Sequence, residues 1–386
     1  MSRPLRIGII AGEESGELLA ADLVEALKAA SGRDVELVGV GGERLSALGL
    51  KSLFPSQDIA LMGLSAVVRD LPRLVVRIGS TARAIAAARP DCLVTVDSPE
   101  FTLRVARKVR AADPTIPIVH YVCPSVWAWR QGRARDMRAS IDLVLCHLPF
   151  EPAELERLGG PPGLFVGHRL TSDPDVLKAA RQQAERPVPG PDKTLLILPG
   201  SRRGEVAALI GVFGGTVDLL RARGTTPKLL LPTVPHVAES VRSAVAGWPR
   251  RPEILTGAEA KWTAFGEADA ALCASGTVSL ELALAGVPTV SCYKLDPIAR
   301  LAKGLVKAWS IVLPNLISDR PVIHEFVDFM VRPSYLARQL EALMDDTGLR
   351  RWQKDGFAEV RRRMATSRPA GELAAEAVLE AVAARK

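Results

Sequence analysis

The chain has 386 residues, 48% of them hydrophobic and 24% charged, an ordered composition that excludes bulk disorder and is too long for one ordinary core. Its 50 Lys and Arg against 43 Asp and Glu give a net charge of +7, which favours anionic partners: phosphorylated metabolites, nucleic acid or an acidic membrane surface. The basic residues are spread along the chain with no isolated Lys/Arg tail, which leaves nucleic acid little support, and no apolar run reaches the roughly 18 residues of a membrane span.

The opening MSRPLRIGIIAGEESG holds only a very short apolar run, arguing against a signal peptide. Five cysteines, Cys92, Cys123, Cys146, Cys273 and Cys292, form no C-x-x-C pair and sit mostly in apolar runs, as thiols do in a reducing compartment. A cytoplasmic protein able to lie against a membrane is expected. In the first half the predicted strands are RIGII, VELVGV, CLVTV, IPIVHYV and DLVLC, with helices such as 17–30 and 101–112 between them. From about Asp192 the pattern restarts with TLLILP, KLLLP, EILTG, DAALCA and PTVSCY, and 335–386 reads as helical. Such alternation predicts two successive α/β domains, each a doubly wound parallel sheet, over about 1–168 and 190–340. Helices over 341–386 come next and can cross back to the first domain, while the Pro- and charge-rich stretch 163–193 reads as a linker. Ligands of doubly wound sheets bind at the carboxyl ends of the strands, so the segments just after each strand carry the candidate chemistry.

The first such segment is AGEESGE, where Gly12 and Gly16 permit a tight turn before a helix, and Glu13 and Glu14 would repel a phosphate and favour a hydroxyl-rich ligand. The spacing is not G-x-G-x-x-G, so a dinucleotide is poorly supported, and an ordinary turn explains the segment equally well. Next, VTVDSPEF puts Asp97 at a sheet edge, where a partly desolvated carboxylate is a reasonable general base; it could instead cap the adjoining helix. The pair Trp127 and Trp129 in YVCPSVWAWR stands after a buried-looking strand. Pro124 makes continuation of that strand doubtful, so a rigid aromatic loop is expected, serving either as a site wall or as a core wedge. In LPGSRRGEV, Ser201 and Arg202 precede a helix whose dipole, with an arginine fork, suits a diphosphate. In CASGTVSLE, Ser275, Gly276 and Thr277 come off a strand to open a helix, and Glu281 shares the face of Thr277 one turn on. A phosphate nest coupled to an acceptor for a ribose diol is the most specific pattern in the chain.

Two stretches, 60–90 with Arg69, Arg73 and Arg77 on one face, and 298–309, are amphipathic and basic enough to meet an anionic lipid surface, though an ordinary solvated helix reads the same way. No metal site is predicted. The histidines (His120, His147, His168, His236, His324) are scattered, and Asp173-Pro174-Asp175 lies away from a strand end. His120 reads as a core residue, and no nucleophile elbow appears.

Taken in order, AGEESGE, VDSPEF, YVCPSVWAWR, DLVLCHLPFE, VGH, LPGSRRGEV, ASGTVSLE and LPNLI resemble the lipid-A-disaccharide synthase family nearly end to end. The resemblance implies a GT-B architecture, two Rossmann-like domains facing across a cleft, and an inverting glycosyltransferase that needs neither metal nor cofactor. It implies transfer from UDP-2,3-diacylglucosamine to 2,3-diacylglucosamine 1-phosphate, giving lipid A disaccharide 1-phosphate and UDP. The protein would then be peripheral on the cytoplasmic face of the inner membrane, with a homodimer left open. It also implies Asp97 as the base for the acceptor hydroxyl and Arg202 with Ser201 at the diphosphate. Ser275, Gly276, Thr277 and Glu281 would form the nucleotide segment, and Glu14, Ser15, Glu100, Trp127, Trp129 and Asn315 the acceptor side of the cleft. Three positions depart from the family pattern: Glu17 and Glu100 each replace an aspartate, and the aspartate expected after Gly167-His168 is displaced. The choice between Asp97 and Glu100 as base stays open. The alternatives are another GT-B UDP-sugar enzyme, acting on an undecaprenyl-linked sugar or as an epimerase, or a non-catalytic basic binding protein.

Overall fold

The computed structural model describes residues 3–60, 71–187, 190–295 and 306–384. The basic helix faces expected at 60–90 and 298–309 therefore lie partly outside the described residues, Arg69 among them. Two compact units are present: Met1–Arg169 with Thr366–Lys386, and Leu170–Ala365.

The first unit carries β1 (Leu5–Ala11), β2 (Val35–Val40), β3 (Cys92–Val96), β4 (Ile118–Tyr121), β5 (Leu143–Cys146) and β6 (Gly163–Phe165), paired in the order β2-β1-β3-β4-β5-β6. The second carries β7 (Thr194–Leu198), β8 (Lys228–Thr233), β9 (Glu253–Thr256), β10 (Ala270–Ala274), β11 (Thr289–Tyr293) and β12 (Glu325–Val327), in the order β12-β11-β10-β7-β8-β9. Every pairing is parallel. All ten predicted strands are found within a residue or two. The short strands β6 and β12 are additional, and too brief for an apolar pattern to announce them.

Central strands explain the continuous apolar runs of the sequence, because β3 and β10 are buried at every position and helices cover both their faces. Successive residues feed opposite layers: Leu93 packs with Phe101 and Val105 on one side, while Cys92, Val94 and Val96 join Leu19, Leu23 and Leu27 on the other. That second layer is closed by the last helix, Ala370–Ala383, whose Ala374, Ala375 and Val378 are small enough to nest against helix Glu14–Ser31. Helices Pro333–Met344 and Gly348–Met364 belong instead to the second unit.

The linker expected over 163–193 is corrected. Residues 163–165 form an edge strand and Pro174–Glu185 a helix of the second unit. The Asp-Pro-Asp sequence is that helix's cap, since Asp173 accepts from the backbone N–H of Asp175 and Val176. Gln183 then donates to the carbonyls of Phe265 and Ala268, both at 2.7 Å.

Strand order fixes where sites can form. In each sheet the chain reverses direction once, between β1 and β3 and between β7 and β10, and a doubly wound sheet opens a crevice at that switch. Register makes the placement specific. Ala11 pairs with Val96, so Gly12 and Asp97 leave adjacent strands side by side. Leu198 pairs with Cys273, which brings the turns carrying Gly200 and Ser275 together.

Candidate active site

Four helices of the second unit, Arg203–Ala222, Pro235–Val245, Ala258–Glu267 and Thr277–Ala285, begin at the carboxyl ends of β7 to β10. Their first turns surround a cavity of about 570 Å³ lined by Gly200, Ser201, Arg202, Lys261, Ser275, Gly276, Thr277 and Glu281, among others. Every residue predicted for nucleotide binding is therefore at one cavity. Unpaired first-turn N–H groups and aligned peptide dipoles make such a convergence electropositive. Gly276, at φ 149° and ψ −160°, holds a backbone conformation closed to other residues, with nothing within 4 Å of a would-be Cβ.

The geometry changes two details of the expected phosphate nest. Ser275 donates its N–H to Cys292 O at 2.7 Å, continuing the ladder to β11, and its hydroxyl to Ile311 O at 3.2 Å. The amides left to face the cavity there belong to Gly276, Thr277 and Val278. At the other turn, Glu205 accepts from the N–H groups of Ser201 and Arg202 at 3.2 and 3.3 Å and from Arg202 Nη1 at 3.0 Å. A Cβ on Gly200 would come within 2.5 Å of that carboxylate, so Glu205 fits only against glycine. Among the described residues the Arg202 side chain has no other partner, and it is 83% exposed.

Glu281 faces the cavity as its helical spacing requires, and it is already partnered: Lys261 Nζ donates to its Oε1 at 3.0 Å. The same ammonium sits 4.3 Å from the centre of the Trp262 ring, a cation–π contact that limits its freedom. Sequence reasoning passes over Lys261, which matches no phosphate-turn signature, and over His236, whose Nε2 lies 2.8 Å from Ser201 O. It also passes over Glu205, which lies three residues after Arg202, an N-cap that gives no capping-box signal in the sequence.

In the first unit, Asp97 and Ser98 both adopt left-handed backbone, φ 50° and 44°, a strained pair of the kind that collects at functional sites. The turn is held by Asp97 N donating to Tyr121 O at 2.9 Å and by Thr102 Oγ1 donating to Asp97 O at 2.7 Å. The helix Pro99–Ala112 is capped at Ser98 without any side-chain capping bond, so Asp97 is not spent as a cap. Burial raises its carboxyl above the usual range, with the Ser98 N–H pulling the other way. Glu100 is the opposite case. Burial works to raise it, but Arg133, Arg130 and Arg104 outweigh that and hold it below its ordinary value; Arg130 Nη1 donates at 2.9 Å and Arg133 also bonds the same oxygen.

The tryptophan segment is a turn. Val122 leaves β4 at φ 78°, a torsion that opposes a β-branched side chain, and Ala128 N and Trp129 N both donate to Ser125 O. The indoles part company as a result. Trp127 is half-buried, donates Nε1–H to Glu151 Oε1 at 3.3 Å and meets the Phe150 ring edge-on at 5.4 Å. Trp129 is 37% exposed with the Arg130 guanidinium 4.3 Å above its ring.

Glu14 and Ser15 sit exposed in the first turn of their helix. Nearby Glu17 is turned to structure, accepting from Leu45 N at 3.2 Å. Asn315 departs from its expected role as an acceptor contact. It is 1% exposed, donating Nδ2–H to Ile323 O and Glu325 Oε1 at 2.9 Å and accepting from Ile323 N at 2.8 Å. Its amide is saturated by the loop it braces. His120 is a core residue, as expected: wholly buried, pushed by that burial down to about 3, with Nδ1 2.8 Å from Thr95 Oγ1. One cluster has no trace in the sequence. Cys123 comes from one segment and Cys146 and Glu151 from another, and their ligand atoms lie within 4.8 Å of one another, all buried.

Comparison with known proteins points the same way. A family model described as Lipid-A-disaccharide synthetase matches residues 7–378. A lipid-A-disaccharide synthase of Nitrobacter winogradskyi is 47% identical over 379 residues, covering 98% of this chain and 96% of that protein. Among solved structures, Acinetobacter baumannii MurG matches with a TM-score of 0.60 at 16% identity, over 98% of this chain and 100% of that one. An S. aureus MnaA–UDP co-structure matches with a TM-score of 0.60 at 13% identity, over 97% of this chain and 95% of that one. At such identities the solved structures speak for a shared fold alone, that of GT-B enzymes.

Proposed function

We infer the mechanism from one premise: this chain belongs to the lipid-A-disaccharide synthetase family, and it is a glycosyltransferase of lipid A biosynthesis with lipid-A-disaccharide synthase activity. The reading is that the cavity at the β7/β10 switch holds the UDP part of a UDP-2,3-diacylglucosamine donor and that Asp97 activates the hydroxyl of a 2,3-diacylglucosamine 1-phosphate acceptor. The observation that carries it is the convergence of four helix N-termini, Arg202 and Glu281 on one cavity. Diphosphate oxygens fit against the amides of Gly276, Thr277 and Val278. Arg202, exposed and paired among the described residues to Glu205 alone, can exchange that carboxylate for phosphate. Lys261 takes one oxygen of Glu281 and leaves Oε2 to accept from a ribose diol.

Chemistry then needs a base and a stabilised leaving group. Asp97 takes the acceptor's hydroxyl proton as its oxygen bonds to the donor's anomeric carbon. The bond from that carbon to the β-phosphate oxygen breaks in line, and the configuration inverts. Negative charge growing on UDP is met by the arginine and by helix dipoles already in place, which need no reorganisation as it forms. Between the two carboxylates at this turn, Asp97 is favoured because Glu100 is tied to three arginines.

Lipid-tailed substrates also support work at the cytoplasmic face of the inner membrane. The helix Leu71–Ala88 exposes Val75 and Val76 at 55% and 66%, and no described helix is long and apolar enough to cross a membrane. The direct test is calorimetry with UDP. Wild-type protein should bind it, and Arg202→Ala or Glu281→Ala should weaken it; UDP found away from this cavity in a soaked crystal would remove the reading.

A further inference from the structure

Glu151 is 3% exposed, and every oxygen on it is in use. Oε2 accepts from the backbone N–H of His147 and Leu148, both at 3.0 Å. Oε1 accepts from Trp127 Nε1 at 3.3 Å. No arginine or lysine contributes to its ionisation among the described residues, and burial pushes its carboxyl up to about 7. A buried carboxylate without a cation is a poor choice if the task is only to cap a turn, since an amide oxygen would satisfy the two backbone donors without a buried charge. What an amide cannot do is serve three donors arranged about both of its terminal atoms, because one of those atoms would be a donor itself.

We propose that Glu151 is a positioning residue for the acceptor sugar, clamping the indole of Trp127 in the 122–130 loop through a carboxylate that only two acceptor oxygens can provide. The inference rests on the reading that this loop walls the acceptor site. The residue before it completes the grip, Phe150 meeting the same indole edge-on at 5.4 Å. The loop's other end is fixed separately, with Arg130 donating to Glu100 on the helix just after Asp97. Two anchors therefore hold the loop: Arg130 ties it to the helix that follows Asp97, and Trp127 ties it to the start of the helix Glu151–Arg157.

The discriminating variant is Glu151→Gln. With its carbonyl oxygen toward His147 N and Leu148 N it keeps the turn, and its NH2 then faces Trp127 Nε1–H, donor against donor. Only the indole bond is cut. Above about pH 7, where this carboxyl is ionised, a hydrogen bond to it accounts for about tenfold or more. Glu151→Gln should thus raise the acceptor KM about tenfold and leave donor KM and UDP affinity unchanged. Trp127→Phe, which deletes the N–H and keeps an aromatic ring, should raise it similarly, and the double variant should cost no more than either alone. Equal, additive losses in both backgrounds would overturn the clamp. A kinetically silent Trp127→Phe would overturn the loop reading beneath it, and the two failures are distinct because the second shows in a single variant. Should Glu151→Gln not fold, Trp127→Phe decides: a raised acceptor KM supports the proposal and an unchanged one ends it.

Discussion

Replacing Asp97 by asparagine separates catalysis from stability at one position. The substitution keeps the side chain's size and removes its capacity to take a proton. A positioned general base contributes about 10²–10⁴-fold, or roughly 2.7–5.4 kcal/mol of barrier, and kcat should fall within that range with substrate affinity little changed. Stability should move the other way. Burial lifts the folded carboxyl above 3.8, so the folded protein holds this proton more tightly than the unfolded chain does. Its contribution to stability therefore falls as pH rises from about 3.8 to the folded value and stays lost above it. Asp97→Asn should consequently melt at a higher temperature than wild type at pH 8, and this advantage should vanish on acidification below about 3.8. The kcat/KM profile of wild type should lose activity on its acid limb above the ordinary aspartate range, and Glu100→Gln should preserve that limb. Measuring kcat/KM against pH for the three proteins, with thermal melts at both ends of the range, tests every step. A variant Asp97→Asn within tenfold of wild type, or an acid limb that disappears in Glu100→Gln, would refute the assignment.

Arg202→Ala should weaken UDP binding by about ten- to a hundredfold, as loss of a charge-assisted contact does, while thermal stability stays unchanged because the side chain stands in solvent; calorimetry and a melt check both halves. Lys261→Met should lower UDP affinity several-fold and narrow the preference for UDP over 2′-deoxy-UDP, since Glu281 would lose the partner that orients it; an unchanged preference would detach Lys261 from the diol. Asn315→Ala should cost about 2–4 kcal/mol, since it strands Ile323 N–H and Ile323 O in a buried loop, and should leave UDP affinity per folded molecule intact. The inverse result, normal stability with lost activity, would return Asn315 to the substrate.

The parts of this protein legible in its sequence are those fixed by local rules. Apolar runs such as CLVTV and AALCA announce central strands because both faces are covered. Glycine-rich turns mark where a strand hands over to a helix, because only glycine reaches torsions such as those of Gly276. Asp97 is legible on the same terms, one residue past a buried strand. Pairings made across the sheet stay hidden. Lys261 meets Glu281 only because β9 and β10 stand on either side of β7 and β8 in the sheet, delivering two helices to one cavity. Glu151 meets Trp127 only because β4 and β5 are neighbours and both chains turn at the same edge. Asn315 shows the converse error. Its motif is specific, yet the specificity belongs to a loop that must be braced from inside, and a motif alone does not say whether its polar atoms face a ligand or a carbonyl. Burial decides such cases: a polar side chain whose every atom is bonded within the chain has nothing left to offer a substrate. By that criterion Asn315 belongs to the frame, whereas Asp97, Arg202 and Glu281 keep polar atoms for the roles proposed for them.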